Sequence, residues 1–256
     1  MPTWNAGQYL QFADERTQPC RDLAGRIALN EPARIVDLGC GPGNSTAVLA
    51  ERWPKAEITG LDSSAEMISA AQKSRPDLHW MTGDIASWQP AHPCDLIFSN
   101  AALQWVPDHA AVYPHLFRQL APGGALAVQV PGNLDAPAHH LMRELAASTG
   151  WRNDFPVPVR EWFVHDLPFY YDLLSPMARR MDLWITEYQH ILTGPEAIVE
   201  WYKGTGLRPF LDTLKNAERR EQFLADYLEL ITPAYPRQTN GHVIFPFRRL
   251  FMVAYL

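Results

Sequence analysis

The sequence predicts an α/β fold with a mostly parallel sheet, helices on both faces of that sheet, and a helical cap. Between residues 34 and 130, five short apolar runs alternate with segments of helical periodicity. The runs are apolar throughout, as expected for strands that helices cover on both sides. A glycine-rich turn directly follows the first run, which is a position typical of ligand-binding loops in such folds.

The first half of the chain supplies the elements of this sheet in order. The apolar face of residues 8–27 predicts an N-terminal helix. Strands are expected at 34–38, 56–61, 78–81, 95–99 and 125–130, and helices at 44–53, 63–73 and 109–120. Ser63 is the expected N-cap of the helix over 63–73, with Glu66 completing a capping box. Pro122-Gly123-Gly124 is the expected turn before the fifth strand.

The character of the chain changes after Gly132, where proline and aromatic residues become frequent. We expect a helical cap over 133–177 and 193–240, with helices at 195–202, 207–214 and 218–230. Two late strands, 181–192 and 249–255, are expected to rejoin the sheet. We therefore divide the chain into residues 1–132, a lid helix and a ligand-binding core, and residues 133–256, the cap region with the two late strands.

Composition and charge narrow the class of protein. The chain has 256 residues and no run of about 18 apolar residues that could span a membrane. Its N-terminus lacks the pattern of a signal peptide, and a net charge of −6 argues against binding nucleic acid. Cys20, Cys40 and Cys94 are too widely spaced for a zinc site or a disulfide framework. We therefore expect a cytoplasmic protein without a metal.

Three positions at the carboxyl ends of successive strands are candidate ligand contacts. Gly39, Gly41 and Gly43 lie between the first strand and the first helix, where glycine lets the backbone approach a ligand and the helix offers free N–H groups. A tight turn without a ligand remains the alternative. Asp62 ends the second strand, a position from which an acid accepts hydrogen bonds from ribose hydroxyls. Asp84 follows the third strand and is either an adenine contact or a loop acid.

At this point the chain resembles the class I S-adenosylmethionine-dependent methyltransferases. The resemblance covers about residues 30–132 and rests on motifs in order: VDLGCGPGN (36–44), Asp62, GDI (83–85), DLIFSNAALQWV (95–106) and LAPGGAL (120–126). It implies a Rossmann-like, seven-stranded sheet whose last strand is antiparallel. It also implies S-adenosylmethionine as cofactor and S-adenosylhomocysteine as product.

The same resemblance implies roles for individual residues. Asp37 would hold the loop and the cofactor's amine, and the three glycines would face its methionine part. Asp62, with Ser63 beside it, would bind the ribose, and Asp84 with Ile85 the adenine. Ser99, Asn100 and Ala101 would pass beside the sulfonium. The Asn-Pro-Pro-Tyr element of amino-group methyltransferases is absent after Leu96, which argues against amide and exocyclic-amine substrates.

Segments along nearly the whole chain also resemble the trans-aconitate methyltransferase family. They are TWNAGQYLQFADER (3–16), AALQW (101–105), PGN (131–133), TGP (193–195), VEWYKGTGLRP (199–209) and FPFRRLF (245–251). That family methylates one carboxylate of a small tricarboxylate. A carboxylate is already ionised at pH 7, so no general base is required. We therefore expect no catalytic residue, and catalysis by positioning, with Trp105 and Asn100 near the transferred methyl group.

Cationic and aromatic residues are then expected to bind the substrate's carboxylates. These are Tyr9, Trp105, Tyr170 or Tyr171, Tyr202, Lys203, Arg208, and Arg248 or Arg249. Arg16 is expected to pair with the cofactor's carboxylate, and Trp4, Tyr9 and Phe12 to form a lid. His109 flanks the substrate mouth in the family's topology, and we expect it to start a helix rather than to act in catalysis.

Alternative functions remain open at this stage. The chain could methylate another small acid or a carrier-bound one such as a malonyl group, although no basic docking cluster stands out. It could also bind the cofactor without transferring the methyl group. A dinucleotide oxidoreductase is disfavoured, because the glycines are spaced Gly39-x-Gly41-x-Gly43 rather than GxGxxG. We expect a small tricarboxylate as the partner, with no nucleic acid or membrane, and the chain could be a monomer or a dimer.

Overall fold

The computed structural model describes residues 13–159 and 162–256, and for residues 13–16 the backbone alone. Its centre is a seven-stranded sheet in the order β3-β2-β1-β4-β5-β7-β6. The strands are β1 (Arg34–Leu38), β2 (Glu57–Asp62), β3 (His79–Thr82), β4 (Cys94–Asn100), β5 (Leu120–Pro131), β6 (Arg180–Leu192) and β7 (Val243–Tyr255).

The pairing of the strands confirms the predicted mixed sheet. Neighbouring strands from β3 to β5 pair in parallel. Strand β7 pairs antiparallel with β5, with Ala125 opposite Tyr255 and Pro131 opposite Arg249. The parallel strands therefore end at one edge of the sheet, and the residues that follow them are brought together there.

Helices connect and cover most of these strands. Within the described ranges they are α1 (Ala13–Arg26), α2 (Asn44–Arg52), α3 (Ala65–Ser74), α4 (His109–Phe117), α5 (Pro137–Ala147), α6 (Leu167–Leu174), α7 (Pro195–Lys203), α8 (Arg208–Thr213) and α9 (Ala217–Ala234). Helix α1 is the described part of the helix expected at 8–27. None of the described helices combines the length and the apolar composition that crossing a membrane requires.

Two local predictions were wrong. The N-cap of α3 is Ser64, whose Oγ accepts a hydrogen bond from the backbone N–H of Met67. Glu66 is then one residue too early to complete a capping box. The expected turn at residues 122–124 lies inside β5, whose pairing with β4 shifts register between Cys94 and Leu96. Between these pairs β5 has three more residues than β4, and Gly123, with a φ of +78°, lies in this irregular part of the strand.

The corrected cap gives a testable difference between adjacent serines. We expect Ser64→Ala to lower the free energy of unfolding by about 1 kcal/mol, because it removes the side-chain acceptor of an N-terminal helix N–H. Ser63→Ala changes an exposed neighbour and is the matched control, expected to stay within about 0.5 kcal/mol of the original protein. Urea unfolding of both variants measures the difference. Equal losses would contradict the assignment of the cap.

The chain forms two compact units. The sheet unit comprises the described residues of 13–131, 163–186 and 249–256, and the helical unit those of 132–162 and 187–248. Residues 163–177, which the sequence analysis assigned to the cap, belong to the sheet unit, where α6 contacts α4. The sheet unit is built around buried apolar side chains that include Leu38, Leu61, Ile97, Leu126 and Met252.

Candidate active site

The glycine loop between β1 and α2 is held against the end of β2. The backbone N–H groups of Gly39 and Cys40 both donate to the carbonyl oxygen of Leu61, at 2.7 and 3.0 Å. Gly39 has a φ of +73°, and a Cβ added there would lie 2.1 Å from the Cβ of Ala102. Gly43, the N-cap of α2, has a φ of +96°. Glycine is required at Gly39 by its backbone conformation and by the close approach of the Ala102 turn.

Asp37 is a fully buried carboxylate directly beneath this loop. Its Oδ2 accepts hydrogen bonds from the hydroxyls of Ser45 and Thr46, at 2.6 and 2.7 Å. Its Oδ1 is buried and has no hydrogen-bond partner among the described residues. Burial raises the pKa of Asp37 to about 6, although the two hydroxyl hydrogen bonds act to lower it. The site therefore contains a buried acceptor that a cationic donor would stabilise.

The acids at the ends of β2 and β3 differ in their surroundings. Asp62 is half-buried, and its two oxygens accept hydrogen bonds from the backbone N–H groups of Gly41 and Ser64, at 2.9 and 2.8 Å. Each oxygen keeps a lone pair for a further donor. Asp84 is exposed and accepts a hydrogen bond from the backbone N–H of Ala86, while the adjacent Ile85 is buried. These positions leave Asp62 and Asp84 accessible to a ligand.

The end of β4 forms the wall of the site opposite the glycine loop. Asn100 lines a cavity together with Thr17, Cys20, Gly39, Cys40, Pro42, Asn44 and Ser45. Its Oδ1 is buried without a hydrogen-bond partner in the described part of the chain. Ala101 has a φ of +55°, which is unusual for a residue with a Cβ. This turn leads into a 3-10 helix, Leu103–Trp105, in which Trp105 is half-buried.

Tyr170 does not have the predicted accessibility to a substrate. It is fully buried, and its hydroxyl lies 2.8 Å from Nδ1 of His109 and accepts a hydrogen bond from the backbone N–H of His165. Nε2 of His109 lies 2.9 Å from the carbonyl oxygen of Leu103, so Nε2 carries the proton and Nδ1 accepts from Tyr170. Burial raises the pKa of Tyr170 to about 12 and lowers that of His109. Of the two tyrosines left open, Tyr171 is the exposed one.

In the helical unit, three residues that were predicted to bind the substrate interact with other residues of the same unit. The hydroxyl of Tyr202, a buried residue, accepts a hydrogen bond from the Asn133 amide at 3.0 Å. Lys203 donates to the carboxylate of Glu200. Arg208 is mostly buried, with its Nε 3.7 Å from a carboxylate oxygen of Asp212, and burial lowers its pKa.

The remaining predicted residues fall into three groups. Arg248 is exposed, whereas Arg249, its neighbour on β7, is buried and belongs to the sheet unit. The sheet unit brings together the predicted cofactor residues Asp37, Gly39, Gly41, Gly43, Asp62, Ser63, Asp84, Ile85 and Asn100. Tyr9 and the side chain of Arg16 lie outside the described part of the structure, as do Trp4 and Phe12.

Two features of the site were missed by the sequence analysis. Gln129 is fully buried on β5, directly opposite Asn100 on β4. The signal was a single amide within an apolar strand, the kind of buried polar group that needs an explanation. Ser45 and Thr46, which hold Asp37, left no such signal, because polar residues are common in the first turn of a helix. The described residues contain no cluster of three or more candidate metal ligands.

Comparisons with known proteins agree with this geometry. A family model described as a methyltransferase domain matches residues 35–124. The trans-aconitate 2-methyltransferase of Azoarcus sp. (strain BH72) is 51% identical over 99% of both chains. Those of Rhodopseudomonas palustris (strain BisB18) and Acidovorax ebreus (strain TPSY) are each 47% identical over 99% of this chain and 99% and 98% of theirs.

Solved structures share the fold at much lower sequence identity. The YcgJ protein of Bacillus subtilis matches with a TM-score of 0.60 and 16% identity, over 93% of this chain and 98% of its own. Phosphoethanolamine N-methyltransferase 2 of Haemonchus contortus, solved with S-adenosylhomocysteine, matches with a TM-score of 0.56 and 14% identity, over 93% of this chain and 52% of its own. At these identities the two structures support the fold alone.

Proposed function

Because the chain belongs to the trans-aconitate 2-methyltransferase family of S-adenosylmethionine-dependent methyltransferases, we propose that it methylates one carboxylate of trans-aconitate. The single observation that carries this proposal is the 51% sequence identity to such a relative over 99% of both chains. This similarity extends beyond the cofactor domain. The products would be a monomethyl ester and S-adenosylhomocysteine.

The residues of the sheet unit fit S-adenosylmethionine. The buried Oδ1 of Asp37 has no partner among the described residues, and an ammonium group would supply the missing donor and stabilise the charge. Asp62 would accept hydrogen bonds from the ribose hydroxyls, and Asp84 with Ile85 would bind the adenine. Gly41, on the glycine loop, has open space where a Cβ would lie. When bound, the cofactor supplies an electrophilic methyl group on a sulfonium.

The protein's contribution to catalysis is positioning and exclusion of water. A carboxylate of the substrate is ionised at neutral pH and brings its own electron pair, so no residue has to remove a proton. His109 is engaged through both ring nitrogens, which argues against its use as a base. Asn100 and Trp105, at the end of β4, would line the path along which the oxygen approaches. Alignment of this kind can supply roughly 7–11 kcal/mol.

The helical unit would supply contacts to the remaining carboxylates. Arg208 is the strongest candidate for this role. Burial lowers the pKa of its guanidinium, so a bound carboxylate would stabilise the charge there. Lys203, Tyr202, and Arg248 or Arg249 remain candidates, as do Arg16 and Tyr9 from the N-terminal segment.

Replacement of Arg208 tests this part of the proposal. We expect Arg208→Ala to raise KM for trans-aconitate by about 10-fold or more, because a charge-assisted hydrogen bond contributes about 1.5–3 kcal/mol. The affinity for S-adenosylhomocysteine should not change. Arg75→Ala removes a half-buried arginine that pairs with Asp77 in the sheet unit, and serves as the control. An unchanged KM in Arg208→Ala would remove this residue from the substrate site.

We further propose that the enzyme works in a reducing cytoplasm on a small tricarboxylate, without nucleic acid. Its cysteines at 20, 40 and 94 are free and buried, which suits a compartment where disulfides do not form. The assembly state is proposed to be a monomer or a dimer, and ultracentrifugation distinguishes the two.

The proposed reaction is tested by transfer of labelled methyl groups from S-adenosylmethionine to trans-aconitate, with citrate and a blank in parallel. A base-labile product with trans-aconitate alone is the expected result, because a methyl ester hydrolyses in base. Absence of product while S-adenosylhomocysteine still binds would overturn the substrate assignment. Small acids and a carrier-bound malonyl group would then be the next substrates to try.

A further inference from the structure

Gln129 is a buried amide that the fold itself does not satisfy. It is fully buried, and neither its Oε1 nor its Nε2 has a hydrogen-bond partner among the described residues. An unpaired buried polar group costs about 1–3 kcal/mol. Leucine would fill the same position in this apolar strand without that cost. The amide is therefore expected to have a partner that arrives only during function.

The register of the sheet places this amide next to Asn100. Gln129 on β5 is directly opposite Asn100 on β4, and residues paired in this way project to the same face. On its other side, Gln129 is opposite Phe251 of β7. Asn100 lines the cavity of the glycine loop and also has an unpartnered buried oxygen. The two amides thus form a short polar row, bounded by an aromatic ring at one end.

Strand order separates Gln129 from the cofactor's own contacts. Asp37 and the glycine loop are on β1, Asn100 is one strand away on β4, and Gln129 is two strands away on β5. Two strand spacings are about 10 Å. If the methyl group is transferred beside Asn100, β5 lies on the side of Asn100 away from the cofactor, where the methyl acceptor would bind.

We propose that Gln129 binds the methyl acceptor, with its Nε2–H donating to an oxygen of the carboxylate that becomes methylated; this inference rests on the proposed function. A neutral amide suits this position better than a cation. A cationic donor would add the attraction of an ion pair to the hydrogen bond and would hold the carboxylate's electron pairs more tightly. The amide orients the carboxylate while leaving its attacking oxygen nucleophilic. Arginine remains the better partner for carboxylates that do not react.

Two substitutions at Gln129 test the proposal. Gln129→Leu removes both polar atoms with little change in size, and we expect kcat/KM for trans-aconitate to fall by about 10-fold or more. The affinity for S-adenosylhomocysteine should stay within about twofold, and the free energy of unfolding should be unchanged or higher. Gln119→Leu, the same substitution just before the opposite end of β5, is the matched control and should alter none of these quantities.

Gln129→Glu supplies a readout that a purely structural role would not give. A buried glutamate accepts but cannot donate when ionised, whereas its protonated form has an O–H donor. We therefore expect low activity at pH 8 and partial recovery relative to the original enzyme as the pH falls toward 6, because burial raises a carboxyl pKa.

The outcomes separate the inference from the proposed function. If the original enzyme does not methylate trans-aconitate, the proposed function fails and the inference fails with it. If it does, and Gln129→Leu keeps full kcat/KM, the inference alone is overturned. An equal loss of S-adenosylhomocysteine affinity in Gln129→Leu would assign the amide to the cofactor and also overturn it. A loss confined to the acid substrate, with pH-dependent recovery in Gln129→Glu, supports the proposal.

Discussion

Asp37→Asn is expected to weaken the binding of S-adenosylmethionine by about 10- to 100-fold, because it removes a buried negative charge. In the original protein Oδ2 is occupied by two hydroxyls, and Oδ1 is the buried acceptor for which the structure provides no donor among its described residues. A hydrogen bond between charged groups contributes about 1.5–3 kcal/mol. Isothermal titration calorimetry with S-adenosylmethionine at pH 7, where both the carboxylate and the amine are mostly charged, measures the loss.

The same carboxylate predicts how cofactor affinity depends on pH. Burial raises the pKa of Asp37 to about 6, so the cofactor-free protein becomes protonated there as the pH falls below that value. A cationic amine binds the ionised form, and the dissociation constant should therefore increase by up to about tenfold per pH unit below 6. Between about pH 6.5 and 7.5 the dissociation constant should be level, because Asp37 is then ionised and the cofactor's α-amino group, with an ordinary pKa near 8, is still protonated. Asp37→Asn should show no such step.

Linkage gives the opposite trend for the stability of the cofactor-free protein. The folded-state pKa of Asp37 is raised above its ordinary value of 3.8, so the folded state binds more protons between about pH 4 and 6. Stability is therefore lost as the pH rises through this window. The loss is about 3 kcal/mol, because each unit between the ordinary and the raised pKa corresponds to about 1.4 kcal/mol. Asp37→Asn should lack this loss and remain folded at pH 8, which separates weakened binding from unfolding.

Asp95→Asn is the matched control for both measurements. Asp95 lies at the end of β4 opposite to Asn100, where its carboxylate accepts hydrogen bonds from the backbone N–H groups of Ala33 and Arg34. Its replacement should leave the pH dependence of cofactor binding in place. If Asp37→Asn binds S-adenosylmethionine as tightly as the original protein at pH 7, the assignment of Oδ1 to the cofactor's amine is wrong.

Elements with a strong local signal were the ones that the sequence predicted well. Strand β1 lies at residues 34–38 as expected, because a β-branched run between Pro32 and the glycine-rich turn has few alternatives. The antiparallel last strand was implied by the resemblance alone and is confirmed. Local errors arose where two residues compete for one role, as Ser63 and Ser64 do for the N-cap, and side-chain geometry decides between them.

The site was less predictable wherever a role depends on tertiary contacts. The sequence predicted Asp37 as a site residue, but not the two hydroxyls that donate hydrogen bonds to its Oδ2. It also could not distinguish the buried Tyr170, which contacts His109 and His165, from the exposed Tyr171. Gln129 was missed because the pattern of apolar residues predicts a buried strand at β5 and gives no weight to a single amide within it. Burial and register identify such a residue, and neither can be read from sequence spacing alone.

Gly39→Ala is expected to be the most damaging single methyl addition in the chain's glycine loop. The new Cβ would lie 2.1 Å from the Cβ of Ala102, and the backbone would have to keep a φ of +73°. A left-handed residue with a side chain costs about 1–2 kcal/mol, and forcing atoms into a packed region about 1–3 kcal/mol more. We therefore expect the free energy of unfolding to fall by about 2–5 kcal/mol.

Urea unfolding measures this loss, and Gly25→Ala is its matched control. Gly25 lies in α1, where an added Cβ meets nothing within 4 Å, so alanine should stabilise the protein by about 0.5–1 kcal/mol. Relief of the clash at Gly39 requires movement of the Ala101–Ala102 turn, which follows Asn100 directly. Gly39→Ala should consequently lose methyl transfer even at temperatures where it remains folded. A variant that is destabilised but fully active would show that the glycine loop and the end of β4 are not mechanically coupled.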